Sequence, residues 1–175
     1  MKATGIVRRI DDLGRVVIPK EIRRTMRIRE GDPLEIYTTR DGEVIFKKYS
    51  LIGGLEDFAA QFCDTLARNT DFTAAVTDRD GIVAVAGAGK RELLGKNLSP
   101  QLEQRSIYQY RSGQERLPVS ESAGQYAAAV AAPILCGGDV LGLVLFISAE
   151  DRLPGEGEYK LAQAVAGFLG KHMET

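Results

Sequence analysis

Residues 1–50 hold four short β-rich runs and one helical turn, a set of elements too small to enclose a core of its own. Thr4–Ile10 (TGIVRRI) and Arg15–Ile18 (RVVI) flank DDLG, whose Gly14 can supply the positive φ of a tight loop, so a hairpin is expected there. Pro19 ends the second run because it has no N–H to give to a ladder. KEIRRTMRI then spaces Ile22, Met26 and, less regularly, Ile28 as the apolar stripe of a short helix. REGD is a turn, and PLEIYTTR and EVIFKKY form a second hairpin about Asp41-Gly42. Such a unit must bury its apolar faces against a second copy, which predicts an obligate homodimer.

Charge separates this segment from the rest. Residues 1–50 carry 12 Lys+Arg against 8 Asp+Glu, a net +4, and the remainder carries 11 against 16, a net −5. The global charge of −1 therefore hides a basic module joined to an acidic one, the asymmetry expected of a protein that meets nucleic acid with one half only. Across residues 8–29 there are seven arginines and one lysine, opposed only by Asp11, Asp12 and Glu21. Guanidinium forks suit bidentate contacts to phosphate and guanine, so the bias toward arginine favours a face for double-stranded DNA over an ordinary solvated surface.

Beyond the first module, SLIGG (Ser50–Gly54) reads as a linker. LEDFAAQFCDTLARN follows, with Leu55, Phe58, Ala59, Phe62, Cys63, Leu66 and Ala67 on one helical stripe. FTAAVTD and IVAVAG flank the turn RDG as a strand pair. Glu92–Leu98 is irregular or a short helix, and Pro100–Tyr110 is expected to be helical. YAAAVAAPIL and VLGLVLFISA read as two buried central strands joined by CGGD, and a closing helix follows Pro154 and Gly155. This order predicts an α+β domain, an antiparallel sheet flanked by helices. The division expected is 1–50, a linker at 51–55, and 56–175.

Few residues offer other chemistry. AVAGAGKRELLGK (Ala84–Lys96) fails the phosphate-loop pattern at Ala84 and Arg91, although its glycines could line a ligand pocket. Asp78 and Asp80 sit in a hairpin turn too short for a calcium loop. Cys63 and Cys136 lie in apolar surroundings without CxxC spacing and are expected to be reduced packing residues. The single histidine, His172, lacks partners for a triad or a metal set, so neither a catalytic nor a metal site is expected and the chain is not expected to be an enzyme. The longest strongly apolar run, Leu141–Ala149, is too short to span a bilayer, and the N-terminus has no signal-peptide core; a cytoplasmic protein without membrane contact is expected. The helices at 55–69 and 155–171 have stripes broad enough to serve both the sheet and a partner helix, so both a homodimer and a homotetramer joined through these helices stay open.

The elements TGIVR, DxLGRVVIPxExRR and DPLEIY…GEVIxKKY run through residues 1–50 and resemble the N-terminal domain of the AbrB-type transition-state regulators, a swapped-hairpin DNA-binding fold. The resemblance implies a mostly-β dimer in which two chains interleave their hairpins. It also implies DNA contacts at Arg8, Arg15, Arg23 and Arg24, with Lys2, Arg9 and Lys20 nearby. Residues 56–175 are similar in layout to a GAF-type sensor domain, chiefly at VTDRDGIVAVAG and AAPILCGGDVLGLVLF. Domains of that type often hold a small molecule between the sheet and its covering loops, but no ligand-binding residue carries over, so cofactor and ligand stay open. The function implied is a DNA-binding transcriptional regulator of sporulation genes, activator or repressor, whose second domain senses a ligand, oligomerises, or both. The alternative is an antidote-like module that binds the protein toxin of a toxin pair.

Overall fold

Pro19 marks where the first helix begins. Its φ of −58° and ψ of 148° keep it outside the helix, and its carbonyl accepts the N–H of Arg23 at 2.9 Å. Helix α1 (Lys20–Thr25) follows. It closes at Arg27, whose φ of 53° lies in the left-handed region where glycine is usual. The N–H of Ile28 reaches back to the carbonyl of Arg23 at 2.8 Å, and that of Arg27 to the carbonyl of Arg24 at 3.3 Å. Lys48 then donates to the carbonyl of Arg27 at 2.8 Å and lies 3.3 Å from the carboxylate of Asp32, which also accepts the N–H of Arg29 at 2.8 Å. These bonds tie the helix end to an antiparallel hairpin, β1 (Leu34–Thr38) and β2 (Val44–Lys48), in register from Leu34↔Lys48 to Thr38↔Val44. Its turn contains Gly42 at φ 82°, as Asp41-Gly42 leads one to expect.

This computed structural model describes residues 4–50, 52–104, 110–111 and 116–174, and the chain divides into two units, Met1–Tyr49 and Ser50–Thr175. The hairpin expected from Thr4–Ile10 and Arg15–Ile18 does not form as a ladder within one chain: these residues carry no strand, and only the turn at Asp11–Arg15 is built. The physical reason is cover. Val7 is 88% exposed, Leu13 71% and Val17 70%, so a lone two-stranded ribbon would leave its apolar side chains in water. Among the described residues, no member of the buried apolar core precedes Ile52.

The second unit closes a core of its own. Ile52 is 1% exposed, so the expected linker is not free chain; Ile52–Leu55 is a 3-10 turn packed into the unit it opens. Helix α2 (Glu56–Arg68) buries Ala59, Cys63 and Leu66, the expected stripe. β3 (Thr73–Thr77) and β4 (Ile82–Ala86) pair antiparallel, followed by the short helices α3 (Lys90–Leu93) and α4 (Pro100–Gln104). The helix expected over Pro100–Tyr110 ends early. Tyr110–Arg111 forms β5 against Val130 and Ala131, because the outer edge of the next strand would otherwise leave backbone groups unpaired; residues 105–109 lie outside the described residues. β6 (Ala127–Cys136) and β7 (Asp139–Ser148) form the long central hairpin, and α5 (Glu156–His172) closes the unit. At the start of α5 the Glu158 carboxylate accepts the Gly155 N–H at 2.7 Å.

The five-stranded antiparallel sheet runs β4-β3-β7-β6-β5. Strand alternation sends Val76, Val144 and Phe146 toward α2 and α5, and Ala75, Leu143 and Leu145 toward the opposite layer of Leu93, Leu102, Leu117, Val119 and Tyr126. A register shift between Ala128 and Val130 lets Ala129 and Val130 both face the helices. No helix among the described residues is long and apolar enough to cross a membrane.

Helix α5 sits on β6 at Gly170, where a Cβ would fall 2.1 Å from the Leu135 carbonyl oxygen. Gly170→Ala should therefore lower stability by about 1–3 kcal/mol, the scale of forced overpacking. Thermal unfolding of the full chain checks this, and an unchanged Tm would mean that α5 lifts off the strand without cost.

Candidate nucleic-acid interface

The basic residues of the first unit are placed by two local devices. The first is α1. Lys20, Arg23 and Arg24 stand at i, i+3 and i+4, hence on one face, while Ile22 and Met26 share another. Lys20, Arg23 and Arg24 are all exposed.

The second device is the turn at Asp11–Arg15. Gly14, at φ 75°, donates its N–H to the Asp11 carbonyl at 3.0 Å, and the Asp11 N–H donates to the Arg15 carbonyl at 3.0 Å. The Asp11 carboxylate organises what lies between. Oδ1 accepts the N–H groups of Leu13 at 3.0 Å and Arg15 at 2.8 Å, and Oδ2 accepts Nε of Arg15 at 2.8 Å. The Arg15 backbone N–H foremost, then its guanidinium, holds the Asp11 carboxyl below the usual carboxylate range. The Arg15 side chain remains 69% exposed.

Arg8 and Arg9 are exposed on the run that precedes this turn, and Lys2 lies outside the described residues. Among the described residues, Arg8, Arg9, Lys20, Arg23 and Arg24 make no ion pair, so their charges are available to an external anion. The structure thus gathers Lys20, Arg23 and Arg24 on one helix face and pairs Arg15 with Asp11. Asp11 is the residue that sequence reasoning did not assign. Its signal was the spacing in DDLGR, where a carboxylate four residues before an arginine also caps a turn.

The second unit offers different surfaces. Phe58 and Phe62 of α2 meet Phe168 and His172 of α5, with ring centroids 5.3 to 6.1 Å apart. Phe168 stays 48% exposed and Leu161 39%. A cavity of about 330 Å³ opens beside this cluster, lined by residues that include Glu56, Phe58, Gln61 and His172. On the face of the sheet opposite the helices, Leu93, Leu102, Leu117, Val119 and Tyr126 form a buried apolar layer. Tyr126 lies so close over Gly89 that a Cβ there would meet the ring at 2.4 Å, and its hydroxyl donates to Glu92 at 3.1 Å. Burial first, and the Glu92 bond second, push the Tyr126 phenol up from its ordinary value. Cys63 is fully buried in the other layer, and desolvation pushes its thiol up to about 12, the behaviour of a packing residue.

Comparison with known families and structures defines the class of protein. Residues 54–174 match the family model described as stage V sporulation protein T C-terminal, transcription factor, and residues 7–51 match that of the MazE antitoxin, antidote-toxin recognition. The chain is a transcription factor built from a small basic module and an α+β domain. It is 49% identical over 181 residues to stage V sporulation protein T of Bacillus subtilis, covering 99% of both chains. Its first module is 63% identical over 49 residues to the transition state regulatory protein AbrB of Bacillus subtilis, 28% of this chain and 50% of that one. The solved N-terminal DNA recognition domain of AbrB aligns at 61% identity over 28% of this chain and 91% of that one, with a TM-score of 0.24. A GAF domain/HD domain protein from Geobacter sulfurreducens aligns over 72% of this chain and 99% of that one, at 16% identity and a TM-score of 0.48. The chain belongs to the stage V sporulation protein T family.

Proposed function

We propose that the first module binds double-stranded DNA as a swapped-hairpin homodimer, through Arg8, Arg15, Arg23 and Arg24 with Lys2, Arg9 and Lys20 beside them. The observation that carries this reading is the set of exposed cations Arg8, Arg9, Lys20, Arg23 and Arg24, which make no ion pair among the described residues, in a module 63% identical to a stretch of AbrB. Exposed Val7, Leu13 and Val17 support the dimer, because strand exchange with a second copy would cover them and double the basic face. The division of labour follows: residues 1–50 hold the DNA and residues 56–175 control assembly.

For the second domain the observations support oligomerisation ahead of ligand sensing. Its α2–α5 seam presents Phe168 and Leu161 to solvent, and a second seam packed on it would join two DNA-binding dimers into a tetramer. On the opposite face of the sheet, Tyr126 packs in a buried apolar layer with Leu93, Leu102 and Leu117. The antidote reading has the MazE match over residues 7–51 in its favour; co-purification of a stoichiometric small toxin with the full chain is the result that would establish it.

Arg15→Ala or Arg23→Ala should weaken DNA binding by about 1–3 kcal/mol each, with the oligomer intact. The log–log salt slope should become shallower by about 0.9 for each phosphate contact removed. Gel-shift affinity unchanged in both variants would sink the proposed face. Phe168→Glu should halve the solution mass of a tetramer while leaving a dimer that still binds DNA; an unaltered mass would place the second interface elsewhere.

A further inference from the structure

Two carboxylates, Asp11 and Asp12, stand in the middle of a run of cations meant for a polyanion. Near DNA an unpaired carboxylate weakens binding, so each needs a compensating role. The structure gives one to Asp11. Its Oδ1 accepts two backbone N–H groups of the turn, and its Oδ2 accepts the Nε–H of Arg15. Among the described residues nothing else bonds to that guanidinium, so Nη1 and Nη2 are the only donors left to it, and they point from the end of the fork.

We infer that Asp11 is a positioning residue for DNA recognition: by engaging Nε it restricts Arg15 to an end-on, two-point contact through Nη1 and Nη2 with a base edge of the target. An arginine on a free side chain can approach side-on through Nε and one Nη, or end-on through both, and it loses rotamer freedom on binding. Asp11 removes the first geometry and restricts the second in advance. The same carboxylate fixes the backbone from which Arg15 departs, so the guanidinium is held at both its root and its neck. End-on presentation matches the paired O6 and N7 acceptors of guanine in the major groove. The Asp11 carboxyl, held below the usual carboxylate range by the Arg15 backbone N–H and then by its guanidinium, agrees with this, since the pair keeps it ionised. The inference rests on Arg15 facing DNA.

The test separates positioning from capping and from simple repulsion. Asn at this position keeps an oxygen for the turn N–H groups but cannot accept from the guanidinium and carries no charge. Two probes are needed: a duplex that the wild-type full chain selects from a random-sequence pool, and poly(dA-dT), in which no base presents the paired O6 and N7 acceptors. Asp11→Asn should weaken binding to the selected duplex about tenfold, the scale of one misplaced bidentate contact. Binding to poly(dA-dT) should stay equal or become tighter, because a negative charge is gone. In an Arg15→Ala background the same change should have no further effect on the selected duplex. Tighter binding to both DNAs, equal loss on both, or full additivity in the double variant would each overturn the inference. Arg15→Ala that leaves both affinities unchanged would instead overturn the DNA face itself. A measurement on the wild-type chain does not depend on the variant folding: the Arg15 Nε–H should exchange with solvent more slowly than that of Arg8. Equal exchange rates would also overturn the inference.

Discussion

Apolar side chains that stand in water decide what the first unit must do. Val7, Ile10, Leu13 and Val17 are each more than two-thirds exposed, and Ile36 and Val44 of the hairpin are nearly so. At about 25 cal/mol per Å² of apolar area removed from water, covering that surface is a large driving force for a unit of this size. In the proposed dimer a second copy would bring the same strands with the same pattern, so that one symmetric exchange would cover both sets. The consequence for function is geometric. In that dimer a basic face that is small on one chain would be repeated about a two-fold axis, and duplex DNA presents its grooves with matching pseudo-symmetry. On the proposed reading, dimer formation and DNA recognition rest on one condition, the apolar surface that a single first unit leaves in water.

The second unit is built on the opposite plan. Both faces of its sheet are covered from within the same chain, and glycine stands where backbones touch: a Cβ on Gly142 would lie 1.9 Å from the Thr77 carbonyl oxygen. Its net charge of −5 gives it no attraction for a polyanion, which leaves the +4 first module as the DNA-facing half. What the second unit still exposes is the aromatic seam of α2 and α5, where Phe168 continues the ring cluster outward. A folded, acidic domain joined in sequence to a basic module explains why the whole chain is nearly neutral.

Much of this was legible because the elements obey strong periods. The continuous apolar runs YAAAVAAPIL and VLGLVLFISA about the turn CGGD read as the buried strands β6 and β7, and the stripe from Leu55 to Ala67 reads as α2 through its 3.6-residue period. Short or contextual features were not legible. β5 spans two residues and exists through its register on β6, so no local pattern announces it. Ile52 sits between a serine-led break and two glycines, which read as a linker, yet it packs beside Gly142 from a distant strand. Arg27 takes a left-handed conformation usual for glycine, stabilised by a lysine 21 residues away. In the candidate site the cations were legible from composition, whereas the role of Asp11 depends on a turn that brings two oxygens of one carboxylate to three donors. Composition counts charges, but only a folded turn orients them.

The most direct test of the central claim is amide hydrogen exchange of the full chain, read at Val7, Val16 and Val17. These residues belong to no ladder within a single chain, so their amides are protected only if a second copy supplies the partner strand. Slow exchange at all three, lost on dilution below the dimer's dissociation constant, is the expected result. Fast exchange at these amides in a chain that remains dimeric would contradict strand exchange as the basis of the first unit.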